Sequence, residues 1–123
     1  MIYGIGVDII EINRVENAIE RTTSFLGKVF NESEILYVKN KKNKYESLAG
    51  NFAAKEAFSK ALGTGVRGFS LREIEITRDT LGKPGILLHG KAKELVEKEN
   101  LNIHLSISHN TTNAVAYVVL EKI

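Results

Sequence analysis

The stretch Leu48 to Gly63, reading LAGNFAAKEAFSKALG, constrains the fold more than any other segment: it is rich in helix formers, yet it carries Glu56 among apolar neighbours. A carboxylate in that setting persists only if it is paired, hydrogen-bonded or coordinated to a cation. Asp8 poses the same problem near the start of the chain, inside the apolar run Ile5-Gly6-Val7-Asp8-Ile9-Ile10. An aspartate fits a strand poorly, and two readings account for it: a strand-end cap on the next helix, or a ligand. Taken together the acids suggest a magnesium half-site, because Mg²⁺ is held by one or two protein carboxylates and completes its shell with water and phosphate oxygens. For Glu56 the plain alternative is an exposed ion pair with Lys60, one helical turn on.

The pattern around these acids predicts an α+β order. Residues 2–10 read as a strand, with Gly4 and Gly6 marking places where another backbone or a ligand comes close. Ile12, Val15, Ile19 and Leu26 recur at helical spacing and predict a first helix. Asn31 and Glu34 form a capping-box signature for a second helix ending by Asn40. The motif helix is expected over about Tyr45 to Leu62, with Gly63 as its left-handed stop and with Phe52, Glu56, Ser59 and Lys60 on one side. A strand over Glu73 to Asp79, a turn at Gly82-Lys83-Pro84-Gly85, a strand over Ile86 to His89 and a helix over Lys91 to Asn100 follow. Two last strands, Ile103 to His109 and Ala114 to Glu121, flank a polar turn. There is no regular βαβ alternation.

Further candidates have ordinary structural explanations beside functional ones. Ser106, Ser108 and His109 lie at a strand end, where hydroxyls, a ring nitrogen and backbone amides can bind phosphate, though a turn histidine is the simpler reading. Lys39, Lys41, Lys42 and Lys44 form a positive run of the kind that usually marks a solvated loop. Gly63-Thr64-Gly65 is a helix stop or a phosphate cradle, but lacks the lysine and hydroxyl that follow the glycines of a P-loop. Arg14 and Arg21 share a helix face, with Phe25 a turn further on, as a solvated face or as a basic stripe suited to an acidic helix.

At 123 residues with 43% hydrophobics, the chain is expected to form one domain over 1–123 whose modest core makes oligomerisation plausible. A net charge of +2 with mixed signs argues against a nucleic-acid binder. The absence of cysteine excludes disulfides and thiolate chemistry, and no stretch has membrane-spanning length, so a cytoplasmic protein is expected.

Four blocks in register then identify a family. Gly4-Ile5-Gly6-Val7-Asp8-Ile9-Ile10-Glu11-Ile12, Phe52-Ala53-Ala54-Lys55-Glu56-Ala57 with Lys60 and Gly63-Thr64-Gly65, Gly82-Lys83-Pro84, and Ser106-Ile107-Ser108-His109 resemble holo-acyl-carrier-protein synthases over nearly the whole chain. The resemblance implies the fold of a short, homotrimeric 4′-phosphopantetheinyl transferase, with a small, mostly antiparallel sheet packed with helices and active sites between subunits. It implies transfer of phosphopantetheine from coenzyme A to a serine of apo-acyl carrier protein. Asp8 and Glu56 match magnesium ligands, and Lys60 matches a lysine on the coenzyme A phosphates. His109 and Ser108 fall near the adenosine 3′-phosphate, with Lys42, Lys44, Gly63, Thr64, Gly65 and Pro84 as further coenzyme A contacts. Arg14, Arg21 and Phe25 inherit the carrier-protein face. One position departs: Asn51 stands where relatives commonly have an arginine, with Arg67 or the lysine run as possible substitutes. Two other readings stay open, a magnesium-dependent hydrolase of nucleotide diphosphates and a non-enzymatic basic module for acidic proteins.

Overall fold

The computed structural model describes residues 1–65 and 68–123. Alternation along the first strand, β1 (Ile2–Glu11), turns Gly4, Gly6, Asp8 and Ile10 inward and Ile5, Val7 and Ile9 outward. Helices α1 (Ile12–Arg21), α2 (Phe25–Val29) and α3 (Glu32–Val38) lead to the long α4 (Lys44–Leu62). A 3₁₀ turn (Leu71–Glu73) opens the hairpin β2 (Ile74–Arg78) and β3 (Pro84–Leu88); α5 (Gly90–Glu99), β4 (Leu101–His109) and β5 (Asn113–Lys122) complete the chain. The sheet order is β1-β5-β4, antiparallel throughout, and β2-β3 forms a separate antiparallel pair. The expected α+β class is observed.

Helix α4 lies on the inner face of the three-stranded sheet and is buried on most of its circumference, from Leu48 through Ala61. Its small residues let the sheet come close. Ala53, Ala54, Ala57 and Ala61 are buried against Ala116, Val118 and Leu120 of β5, while Leu48 and Ala49 join a second cluster with Ile12, Val15, Phe30 and Val38. The helix stops where expected, at Gly63, with φ 83°. The Asn31–Glu34 capping box forms as read, starting α3. No helix among the described residues is long and apolar enough to cross a membrane.

Lys55, on the face of α4 opposite the sheet, is fully buried. Its Nζ donates to Glu34 Oε1 at 2.8 Å, the Leu71 carbonyl at 2.9 Å and the Ile74 carbonyl at 2.5 Å. One ammonium thus ties α3, α4 and the start of β2 together. Burial pushes the Glu34 carboxyl upward and Lys55 opposes that shift. Lys55→Met leaves a buried carboxylate unpaired and two carbonyls without their donor. It should cost about 3–5 kcal/mol in urea denaturation, and Lys55→Met with Glu34→Leu should recover part of that loss.

Several boundaries differ from the sequence expectation. The first helix ends at Arg21, and Leu26 belongs to α2, because Thr22-Thr23-Ser24 puts three hydroxyl side chains in a row that compete with the helical ladder. The hairpin turn sits earlier than Gly82–Gly85. Asp79 Oδ1 accepts from the Leu81 and Lys83 amides at 2.9 and 2.8 Å, so Pro84 becomes the first residue of β3, a position that needs no amide donor. Ser59 does not share the Glu56 face; it is buried and donates to the Lys55 carbonyl at 3.0 Å.

Candidate active site

The two suspect acids meet where β1 crosses α4. Gly4 and Gly6 present bare backbone to the helix, and this close approach brings Asp8, two residues on along the same face, beside the next turn of α4. Lys60 reaches back across that gap, donating to Asp8 Oδ1 at 3.1 Å and to the Val7 carbonyl at 3.0 Å. The surface pair between Glu56 and Lys60 is therefore not what forms: the lysine goes to the strand. Glu56 is half-buried beside them, and its pKa is raised, chiefly by burial and then by the charge of Asp8, with Lys60 opposing. Two carboxylates crowded together under partial burial are what a cation relieves.

These acids open into a cleft of about 330 Å³ that also takes in Arg14, Ala18, Phe25 and Phe52. The expected carrier-protein face and the acid pair are thus continuous surface. Phe25 reaches the cleft from α2 rather than α1, half-buried with its ring 6.1 Å from that of Phe52. Arg21 is exposed at the end of α1 and lies outside the cleft.

A second cleft, of about 310 Å³, lies at the other end of α4 and is lined by Lys41, Glu46, Ser47, Arg78 and His109 among others. The strand alternation that points Ile107 inward leaves Ser106 and Ser108 on the outer sheet face, so in one chain their hydroxyls do not share the His109 cleft. Of the lysine run it is Lys41, its Nζ 4.5 Å from the Tyr37 ring centre, that lines this cleft. Lys42 is exposed and Lys44 stacks over Tyr45 at 4.9 Å, both outside it. Gly63, Thr64 and Gly65 follow Lys60 at the open end of α4 and line neither cleft, with Thr64 Oγ1 donating to the Gly65 carbonyl. Pro84 pairs with Arg78 across the hairpin. Arg67 lies outside the described residues.

Residues 4–118 match the model of the 4′-phosphopantetheinyl transferase superfamily. The chain belongs to that superfamily. Among relatives of this transferase, a Clostridium perfringens protein called holo-[acyl-carrier-protein] synthase is 58% identical over 98% of this chain and 95% of its own. The crystal structure of the Neisseria meningitidis holo-[acyl-carrier-protein] synthase superposes with a TM-score of 0.90 at 38% identity, covering 99% of this chain and all of that one. The Bacillus anthracis holo-(acyl-carrier-protein) synthase, solved in complex with CoA (3′,5′-ADP), gives 0.85 at 41% identity over 100% and 99% of the two chains.

Sequence reasoning passed over Arg78 in this transferase. The signal was Asn51: it is buried in α4, and its Oδ1 accepts a 2.9 Å hydrogen bond from Arg78 Nη2.

Proposed function

We propose that this transferase moves the 4′-phosphopantetheine group of coenzyme A onto a serine of an apo-acyl carrier protein, releasing adenosine 3′,5′-bisphosphate, as a cytoplasmic holo-[acyl-carrier-protein] synthase of fatty acid biosynthesis. The observation that carries this reading is the continuity of one cleft from the Asp8 and Glu56 carboxylates to Arg14 and Phe25. A phosphate electrophile held at one end faces a docked partner at the other.

The residues fit a magnesium ion. Asp8 and Glu56 line one cleft, and the charge of Asp8 raises the Glu56 pKa, so a close pair of carboxylates is on offer, as suits an ion that keeps its waters and takes phosphate oxygens. Asp8 and Glu56 would hold it. Bound there, it supplies charge neutralisation to the diphosphate of coenzyme A. In the transfer, the serine Oγ–P bond forms as the bridging P–O bond of the diphosphate breaks and the serine proton is released. Lys60 Nζ, already beside Asp8, places a positive charge where the departing phosphate oxygen gathers negative charge. Arg14 steers the acidic partner, and the Phe25–Phe52 aromatic pair gives it an apolar seat.

The active assembly in this reading is a homotrimer with sites between subunits. Support comes from the outer sheet face, where Ile5 is 58%, Val7 50% and Ile9 66% exposed beside Tyr117 at 44%, a contiguous apolar surface unusual on an isolated domain. Ile5→Glu, on the outer face of β1 and directed away from the Asp8 side, should yield a monomer by light scattering and lose transfer with it. A wild-type protein that is monomeric and fully active would contradict the assembly.

Incubating the protein with coenzyme A, Mg²⁺ and an apo-carrier protein and weighing the carrier intact tests the function. The expected result is a carrier heavier by one phosphopantetheine, dependent on Mg²⁺. Release of adenosine bisphosphate without any carrier would mean a hydrolase, and Mg²⁺-independent binding without modification would mean a docking module.

A further inference from the structure

The proposed function leaves one charged unit unexplained. Arg78 is half-buried at the end of β2, where it makes no ion pair among the described residues. A guanidinium taken partly out of water without a carboxylate is costly. Its pKa is depressed by that burial, with the nearby Tyr37 and Glu34 opposing the shift without pairing to it. The hydrogen bond from its Nη2 to Asn51 is made to a neutral amide, which orients the fork without neutralising it. Asn51 itself is only 3% exposed, so its side chain is fixed by the packing of α4. Arg78 lines two clefts, one shared with Glu34 and Glu75 and a second that also takes in Lys41, His109, Glu46 and Ser47. Glu46 forms no ion pair with Arg78 there, so the cationic groups in the cleft outnumber the anionic one.

We infer that Arg78, positioned by Asn51, is the guanidinium through which this chain recognises the terminal 3′-phosphate monoester of coenzyme A, together with His109 and Lys41. The inference rests on the coenzyme A reading above and adds to it a residue pair from β2 and α4. A planar fork with free N–H groups matches two oxygens of a phosphate dianion, whereas an ammonium offers only a point charge. The shorter asparagine at position 51 accepts from a guanidinium that enters from the neighbouring strand, so a cation reaches this cleft although position 51 is not itself an arginine. Arg78 is a binding residue here and Asn51 a positioning residue.

The test compares coenzyme A with 3′-dephospho-coenzyme A, which lacks only the monoester, by calorimetric titration of the full-length protein. Wild type should bind coenzyme A more tightly than the dephospho form. Arg78→Met should weaken coenzyme A binding roughly 10- to 100-fold, the range expected for losing hydrogen bonds to a charged group, while dephospho-coenzyme A binding changes by less than about threefold. Arg78→Lys keeps the charge without the fork and should retain part of the discrimination; it also serves if the methionine variant does not fold. Asn51→Ala should lower the discrimination while Arg78 is still present. Equal weakening of both ligands, or no change in either, in the Arg78 variants overturns the inference. Unchanged discrimination in Asn51→Ala overturns the positioning role. Failure of the parent reading looks different: wild type would bind neither ligand, or would bind coenzyme A and not modify a carrier.

Discussion

Glu56→Gln should abolish phosphopantetheine transfer and leave a protein at least as stable as the wild type. The loss of turnover is expected to be roughly 100-fold or more, because disturbing even an outer-shell partner of a metal ligand costs 10- to 100-fold and this substitution removes a ligand. The stability change has the opposite sign. The Glu56 carboxyl has its pKa raised by burial and by the neighbouring Asp8, so in the absence of a cation the ionised form is worse off in the native state than in the unfolded chain. As pH rises from the ordinary glutamate value, the unfolded state gives up this proton first, and native stability falls until the native group has ionised as well. The melting-temperature advantage of Glu56→Gln should therefore be small in acid, open through that window and stay constant above it. Added Mg²⁺ and coenzyme A should raise the wild-type midpoint more than the variant's, by linkage. A variant that melts well below wild type at neutral pH would show Glu56 to be a structural residue.

Gly6→Ala, like Gly4→Ala, should be severely damaging for the addition of a single methyl group. A Cβ there would stand 2.0 Å from the Ala57 carbonyl oxygen and 2.8 Å from the Ala61 amide, and these are backbone atoms of a packed helix that cannot step aside. Strand and helix must part. The expected cost is about 3 kcal/mol or more, at or beyond the upper end of ordinary overpacking, because the clash is with backbone rather than with a rotatable side chain. The same displacement carries Asp8 away from Glu56 and Lys60, so activity should fall further than the folded fraction does. Gly27→Ala, in α2 with nothing within 4 Å of the added carbon, is the control and should be neutral or slightly stabilising. Both are read by urea denaturation followed by turnover on the folded fraction.

Most of the fold was legible because local signals agreed with the tertiary arrangement. The Asn31–Glu34 box, the Gly63 stop and the close backbone approach at Gly4 and Gly6 each appear where the sequence placed them. What escaped were features decided by contacts far along the chain. The spacing of Glu56 and Lys60 suggested a pair within the helix, but Lys60 finds Asp8 some fifty residues earlier, a choice made by the close packing of Gly4 and Gly6 on α4. The resemblance pointed to Lys42 and Lys44, whereas it is Lys41 that lines the His109 cleft in this chain, a choice that depends on where Tyr37 and α4 hold the loop. Asn51 read as a missing cation; only the fold brings Arg78 to it from β2. The family, by contrast, was legible from motif order alone, and the chain's membership does not depend on any of these contacts.

The central claim is that a strand acid and a helix acid jointly hold one divalent cation against a diphosphate. Titrating Mn²⁺ into the protein with coenzyme A present, and following free Mn²⁺ by its electron paramagnetic resonance signal, tests it directly. The account predicts saturable, stoichiometric binding in the wild type that is lost in both Asp8→Asn and Glu56→Gln. Wild-type-like binding in either variant would contradict it.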